Sequence, residues 1–135
     1  VFYVPAPERK LVQTGKTGAY TFIDGTQEQY DITVKAMKES YLFVYERYQR
    51  MLEAGVAREV ARAVLPVGLY SSMYVTMNAS ALMNFLSLRT SREGSLFPSY
   101  PQREIEMVAE KMEEHFARLM PLTYAAFEKS GRIAP

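Results

Sequence analysis

The chain opens on a β-branched and aromatic tetrapeptide, Val1-Phe2-Tyr3-Val4, closed by Pro5 and Pro7, which predicts a short strand. Residues 10–25 are polar and contain Gly15, Gly18 and Gly25, the composition of a mobile stretch, with Tyr20-Thr21-Phe22-Ile23 as a short strand or a clip onto a core. The period then becomes helical. Tyr30, Val34, Met37, Tyr41, Val44, Tyr48, Met51 and Leu52 recur at steps of three and four and share one stripe. Thr26 with Gln29 makes a capping box, Glu28 suits the positive helix start, and Gly55 marks the stop. A helix over 26–54 is ~43 Å long at ~1.5 Å per residue. A compact chain of this length has a diameter of roughly 36 Å, so the helix overhangs and calls for a covering partner or further chain.

Residues 56–65 predict a second, short helix ended by Pro66. At 69–77 the period falls to two: Leu69, Ser71, Met73, Val75 and Met77 alternate with Tyr70, Ser72, Tyr74 and Thr76, which predicts a strand. Asn78 is a good N-cap for a third helix over 79–89, with Leu82, Phe85 and Leu86 inward. Residues 90–100 form a Ser/Gly/Pro loop. Ser99 with Gln102 reads as another capping box, with Pro101 in the first turn. The helix that follows carries Ile105, Val108, Met112, Phe116 and Leu119 on one face. Pro121 breaks it, and a last helix runs to Gly131. The sum is an α+β chain, mostly helical with a small antiparallel sheet element, held in one core.

Composition narrows the chemistry. The chain has 135 residues, about one domain's worth, and its 48% apolar content excludes general disorder. Sixteen Lys and Arg stand against 15 Asp and Glu, a net charge of +1, so no nucleic-acid partner is expected. With no cysteine and one histidine, His115, a disulfide scaffold, a thiolate or His-cluster metal site and a cysteine nucleophile are all excluded, and no metal is expected. His115 lies in Glu113-Glu114-His115-Phe116 and reads as a solvated helix residue. No window approaches the ~18 apolar residues of a membrane span, and no signal-peptide pattern opens the chain, so a cytoplasmic setting is the default. The first residue is Val1 rather than Met, which means a processed start or a piece of a longer protein.

Three places have the residue types for a site. Arg62 sits among Ala61, Ala63, Val64 and Leu65, near a partly buried surface, and its fork suits a phosphate or carboxylate. The plainer alternative pairs it with Glu59 or another helix's acid. The step Thr76-Met77-Asn78-Ala79-Ser80 leads into a helix start, where free N–H groups and a positive dipole end suit an anion or a polar ring edge. There the alternative is a simple cap. Asn84 interrupts an apolar helix surface between Met83 and Phe85. Arg89 ends the same helix, either as a match to the helix dipole or as a guanidinium serving a ligand pocket. No Gly-rich phosphate loop or metal-ligand spacing is present.

Taken in order, Glu59-Val60-Ala61-Arg62-Ala63-Val64-Leu65-Pro66, Leu69-Tyr70-Ser71, Thr76-Met77-Asn78-Ala79, Leu82-Met83-Asn84-Phe85-Leu86-Ser87-Leu88-Arg89 and Gln102-Arg103-Glu104-Ile105 resemble the C-terminal half of flavin-dependent thymidylate synthase. Phe2-Tyr3-Val4-Pro5-Ala6-Pro7-Glu8-Arg9 is similar to the segment just after that family's signature. On this resemblance, residues 1–135 are the C-terminal portion of a single domain in a homotetrameric flavoprotein fold with sites at subunit junctions. The reaction implied is reductive methylation of dUMP to dTMP, with methylenetetrahydrofolate as carbon donor and NADPH as reductant through FAD. Arg89 matches the arginine that contacts the uracil and favours ionisation at N3, the catalytic role. Arg62 matches a dUMP-binding arginine. Asn78, Ala79, Ser80, Asn84 and Leu88 match the FAD-binding helix.

The chain departs from the family pattern in three respects. The signature R-H-R-x7-S is not found in these residues and belongs upstream of Val1, so this portion alone is expected to be inactive. Ser80 stands where many members carry an arginine toward FAD. The 90–101 link is longer than usual, Pro101 replaces an alanine, and the flavin-side histidine has no counterpart. The competing reading, from another class, is a non-catalytic helical oligomerisation module that kept the scaffold and lost the chemistry.

Overall fold

The computed structural model describes residues 1–134. They form a hairpin of β1 (Val12–Lys16) and β2 (Ala19–Ile23), then helices α1 (Gln27–Glu53), α2 (Arg58–Ala61), α3 (Ala79–Arg89), α4 (Arg103–Leu119) and α5 (Pro121–Lys129), with a single 3-10 turn at Arg62–Val64. This is the expected mixture of helix with one small antiparallel sheet. Instead of the single core expected, the chain divides into two compact units, residues 1–14 with 22–73 and residues 15–21 with 74–134.

The first unit is organised by α1. The capping box forms as read: Gln29 N–H donates to Thr26 Oγ1 (3.2 Å) and Thr26 N–H to Gln29 Oε1 (2.8 Å). Gly55, at φ 79°, follows the helix end. Phe2 stacks on Tyr41 with ring centroids 4.7 Å apart and meets Tyr45 edge-on at 6.3 Å. The expected strand at 1–4 shrinks to one antiparallel bridge between Phe2 and Leu69, flanked by Tyr3 N–H to Gly68 O and Tyr70 N–H to Val1 O. No residue of α1 is buried, although its apolar stripe follows the expected spacing. The short helix expected over 56–65 splits into α2 and the 3-10 turn, with Ala61 fully buried between them.

Two strand expectations need correction. Beyond the Leu69 bridge and the bond from Tyr70 N–H to Val1 O, residues 70–77 belong to no strand among the described residues, and Met73 and Tyr74 stand in solvent. A period of two specifies a pleated face only where a neighbouring strand accepts the ladder. Conversely, the stretch expected to be mobile contains β1. Gly15 adopts φ 97°, and a Cβ there would lie 2.5 Å from the Ala19 carbonyl oxygen, so the hairpin closes only with glycine at that position.

The second unit is a three-helix packing in which α4 lies against both α3 and α5. Its core is Met83, Leu86, Ala109, Phe116 and Phe127, with Leu82, Phe85 and Tyr124 against it. Phe116 and Tyr124 meet edge to face at 5.9 Å. The stripe expected on α4 is rotated. Ala109, Glu113 and Phe116 face inward, whereas Val108 is 51% and Leu119 71% exposed. The helix turns an acid inward because cations meet it there. The second capping box is absent: α4 starts after Gln102 with no side-chain cap and Pro101 precedes it. The Ser99 hydroxyl donates instead to Thr90 O (2.5 Å).

Candidate active site

Helix α3 carries most of the candidates. Asn78 holds an extended backbone and its Oδ1 accepts from Ala81 N–H (2.8 Å), so the cap is real. The side chain remains exposed, and Ala79 and Ser80 in the first turn are half-buried. Two turns on, Asn84, Ser87 and Leu88 form one wall of a cavity of about 290 Å³, faced by Phe97 and Pro98 of the 90–102 loop and by Ile133 of the tail. Asn84 and Leu88 are therefore brought together, while Asn78, Ala79 and Ser80 lie outside that lining at the other end of the helix.

Arg89 closes α3. It is exposed, and its Nη1 donates only to the carbonyl of its neighbour Leu88, at 3.3 Å. Among the described residues no carboxylate pairs with it. The helix dipole favours a cation there by about 0.3–1 kcal/mol, which leaves the guanidinium free for a ligand. Arg62 belongs to the first unit and opens the 3-10 turn. It is exposed rather than held at a partly buried surface, and the ion pair with Glu59 allowed by the sequence does not form among the described residues. An unpaired arginine keeps all five donors for an incoming phosphate or ring oxygen.

Sequence reasoning missed a polar cluster beneath the end of α3. Glu113, 5% exposed, accepts from Arg132 Nη2 (2.6 Å), Arg92 Nη2 (2.8 Å) and the Tyr124 hydroxyl (3.2 Å). Arg132, 3% exposed, also pairs with Glu128, donates to Thr90 Oγ1 (2.8 Å) and lies 4.9 Å over the Phe127 ring. Only its Nε lacks a partner. Burial alone would lower the Arg132 pKa, but the Glu113 hydrogen bond and the charges of Glu113 and Glu128 outweigh it and raise the pKa. Burial and the Glu113 charge push the Tyr124 phenol above its usual range. The available signal was register: Glu113 falls between Ala109 and Phe116 at helical spacing, inside the buried stripe.

A wider hollow of about 490 Å³, lined by Arg92, Glu110, Lys111 and Glu114 among others, is not a competing site. Its charges are spent on one another, in pairs Arg92–Glu110 at 3.8 Å and Lys111–Glu114 at 2.8 Å. His115 is exposed on α4, as read, with Nδ1 3.0 Å from Arg118 Nη2. No helix among the described residues is long and apolar enough to cross a membrane.

Residues 1–122 match the family of the thymidylate synthase complementing protein. The chain belongs to that family. Within it, the sequence is 64% identical over all 135 residues to the flavin-dependent thymidylate synthase of Streptomyces avermitilis and 60% identical to that of Tropheryma whipplei. It covers 55% and 56% of those relatives, so the chain spans about half the length of the curated relatives it matches. Among solved structures it is similar to a UMP/dUMP methylase, PolB from Streptomyces cacaoi, bound with 5-Br UMP. The TM-score is 0.93 at 51% identity, covering 99% of this chain and 60% of that one. Every candidate position lies within the matched span, whereas Arg132 lies beyond it.

Proposed function

We propose that these residues form the nucleotide- and flavin-binding half of a flavin-dependent thymidylate synthase, which methylates dUMP to dTMP. The observation that carries this reading is Arg89, a permanent cation without a carboxylate partner among the described residues, at the end of the helix whose Asn84 and Leu88 wall a cavity. A guanidinium that cannot lose its charge stabilises negative charge developing on a uracil ring. That charge makes the ring's own carbon the nucleophile, so a chain without cysteine can serve it. Arg62, exposed and unpaired in the first unit, binds the dUMP phosphate.

The residues of α3 fit FAD. The capped first turn at Asn78, Ala79 and Ser80 offers N–H groups and a positive dipole end to a polar or anionic part of the cofactor. Asn84 and Leu88 offer an amide and an apolar surface to a planar one. When bound, the flavin supplies the redox chemistry, with NADPH as reductant and methylenetetrahydrofolate as carbon donor. The assembly is a homotetramer in the cytoplasm, with sites at subunit junctions. The relatives named flavin-dependent thymidylate synthase and the neighbour bound to 5-Br UMP support the same chemistry.

The test is made on the protein extended to its relatives' length. It should carry flavin absorbance and form dTMP from dUMP. Arg89→Ala should abolish dTMP formation while the fold and the flavin persist. A folded protein of that length that neither holds flavin nor methylates dUMP leaves the non-catalytic scaffold as the better account.

A further inference from the structure

We infer that Arg132 is a positioning residue for the site proposed above: anchored on buried Glu113, it holds Thr90 and thereby sets the end of α3 that carries Arg89. The inference rests on that functional reading.

Thr90 is 1% exposed, and its backbone leaves the helix in an extended conformation, φ −123° and ψ 142°. Its hydroxyl donates back to Leu86 O (2.7 Å) and accepts from Arg132 Nη2 (2.8 Å), while its carbonyl accepts from the Ser99 hydroxyl (2.5 Å). The amide, hydroxyl and carbonyl of Thr90, the residue next to Arg89, are therefore all hydrogen-bonded. Arg132 Nη2 serves two acceptors at once, Glu113 Oε1 at 2.6 Å and Thr90 Oγ1. The long-range link from residue 132 to residue 90 is thus a charge-assisted hydrogen bond anchored in the core.

The placement of Arg132 is specific. It adopts φ 63°, the left-handed region where glycine or asparagine is the ordinary choice after a helix. Gly131 precedes it at φ 72°, its carbonyl accepts from Leu96 N–H (2.9 Å), and a Cβ there would sit 3.1 Å from the Leu96 side chain. The tail is thereby pinned to the 90–102 loop, and Arg132 lines the same cavity as Asn84 and Leu88. A buried ion pair is weak evidence for stability alone, and its best-attested use is to fix a geometry. Here the geometry fixed is the junction between α3 and the loop.

The experiment uses the flavin-loaded protein at its relatives' length, with kcat and KM for dUMP, flavin absorbance and Tm read together. Thr90→Val removes the acceptor at nearly constant volume. It should lower kcat/KM for dUMP roughly tenfold, with part of the loss in kcat, and retain the flavin, because small displacements of the charge-stabilising Arg89 are costly. Thr90→Ser keeps the hydroxyl and should bring kcat/KM back to within about twofold of the parent. In an Arg89→Lys background, Thr90→Val should add less than it does alone, since both act through one group. Where Thr90→Val does not fold, Arg132→Lys, which keeps the charge and loses the fork, carries the same expectation. A lowered Tm with unchanged kcat/KM, or full additivity with Arg89→Lys, overturns the inference while the functional reading stands. A parent protein without dUMP methylation overturns both.

Discussion

Removing the Glu113 carboxylate should loosen the second unit more than removing a larger apolar group from its surface. In Glu113→Ala, Arg132 keeps only Glu128 as an acid partner, with its own side chain 2% exposed, while Arg92, at 34%, can turn to water. The cost is therefore dominated by one stranded guanidinium. Breaking a buried pair from one side costs about 3–5 kcal/mol, and loss of the Tyr124 hydrogen bond falls within that range. A domain has only about 5–15 kcal/mol in total, so the change is a large share of what holds α4 and α5 together. Because the chain divides into two units, one global unfolding free energy is the wrong readout. Native-state amide hydrogen exchange in Pro121–Lys129 is the right one, and protection there should fall roughly a hundred- to several-thousand-fold at 1.36 kcal/mol per decade. The double variant Glu113→Leu with Arg132→Met removes both charges and should recover most of that protection. A single variant that costs under about 1 kcal/mol refutes the stranded-charge account. A double variant as damaged as the single one refutes it differently, by showing that shape rather than charge is at stake.

Arg62→Ala should weaken dUMP binding more than FAD binding, because an exposed, unpaired fork has no structural duty to lose; calorimetry on the full-length protein decides it, and unchanged dUMP affinity rejects the assignment. The phenol of Tyr124, raised by burial and by Glu113, contributes stability that is complete below about pH 10 and is lost as pH rises through its folded value. Tyr124→Phe should therefore flatten the alkaline limb of a Tm-against-pH curve above pH 10, and an unchanged limb counts against it. Residues 1–135 by themselves should self-associate, since α1 buries none of its residues and exposes Ile32, Leu42 and Phe43; a well-behaved monomer in sedimentation velocity contradicts this.

What the sequence made legible was local. The Thr26–Gln29 box and the Asn78 cap were readable because donor, acceptor and helix start lie within four residues. The candidate residues of α3 and its cap follow one another along a single helix, where the sequence places them. Failures arose where a partner lies far along the chain or is missing. The alternation at 69–77 has the strand period but no strand beside it. Ser99 has a capping residue's chemistry, but the Thr90 carbonyl, nine residues back, takes its hydroxyl. The face of α4 was misjudged because counting apolar residues alone treats Glu113 as outward.

The inward acid of α4 also explains why Arg89 can be told apart from its neighbours. The second unit holds five arginines. Arg92 is paired with Glu110 and Glu113, Arg103 with Glu106 and Glu110, and Arg132 with Glu113 and Glu128. Arg118 rests on His115. Among the described residues, Arg89 alone has nothing but the carbonyl of the preceding residue. Glu106, Glu110, Glu113 and Glu114 of α4 are thus drawn to cations within the unit, and none of the four pairs with the one at the end of α3. A guanidinium so placed keeps its field for whatever anion arrives, and it needs no partner to be displaced first. Moving an acid within reach should therefore damage nucleotide binding more than removing one of the structural pairs on the surface. Ser91→Asp, two residues on in the exposed loop, should raise KM for dUMP, whereas Lys111→Ala, which breaks an exposed pair with Glu114, should leave it unchanged. Equal effects from the two variants would remove the argument that Arg89 is distinguished by its lack of a counter-charge.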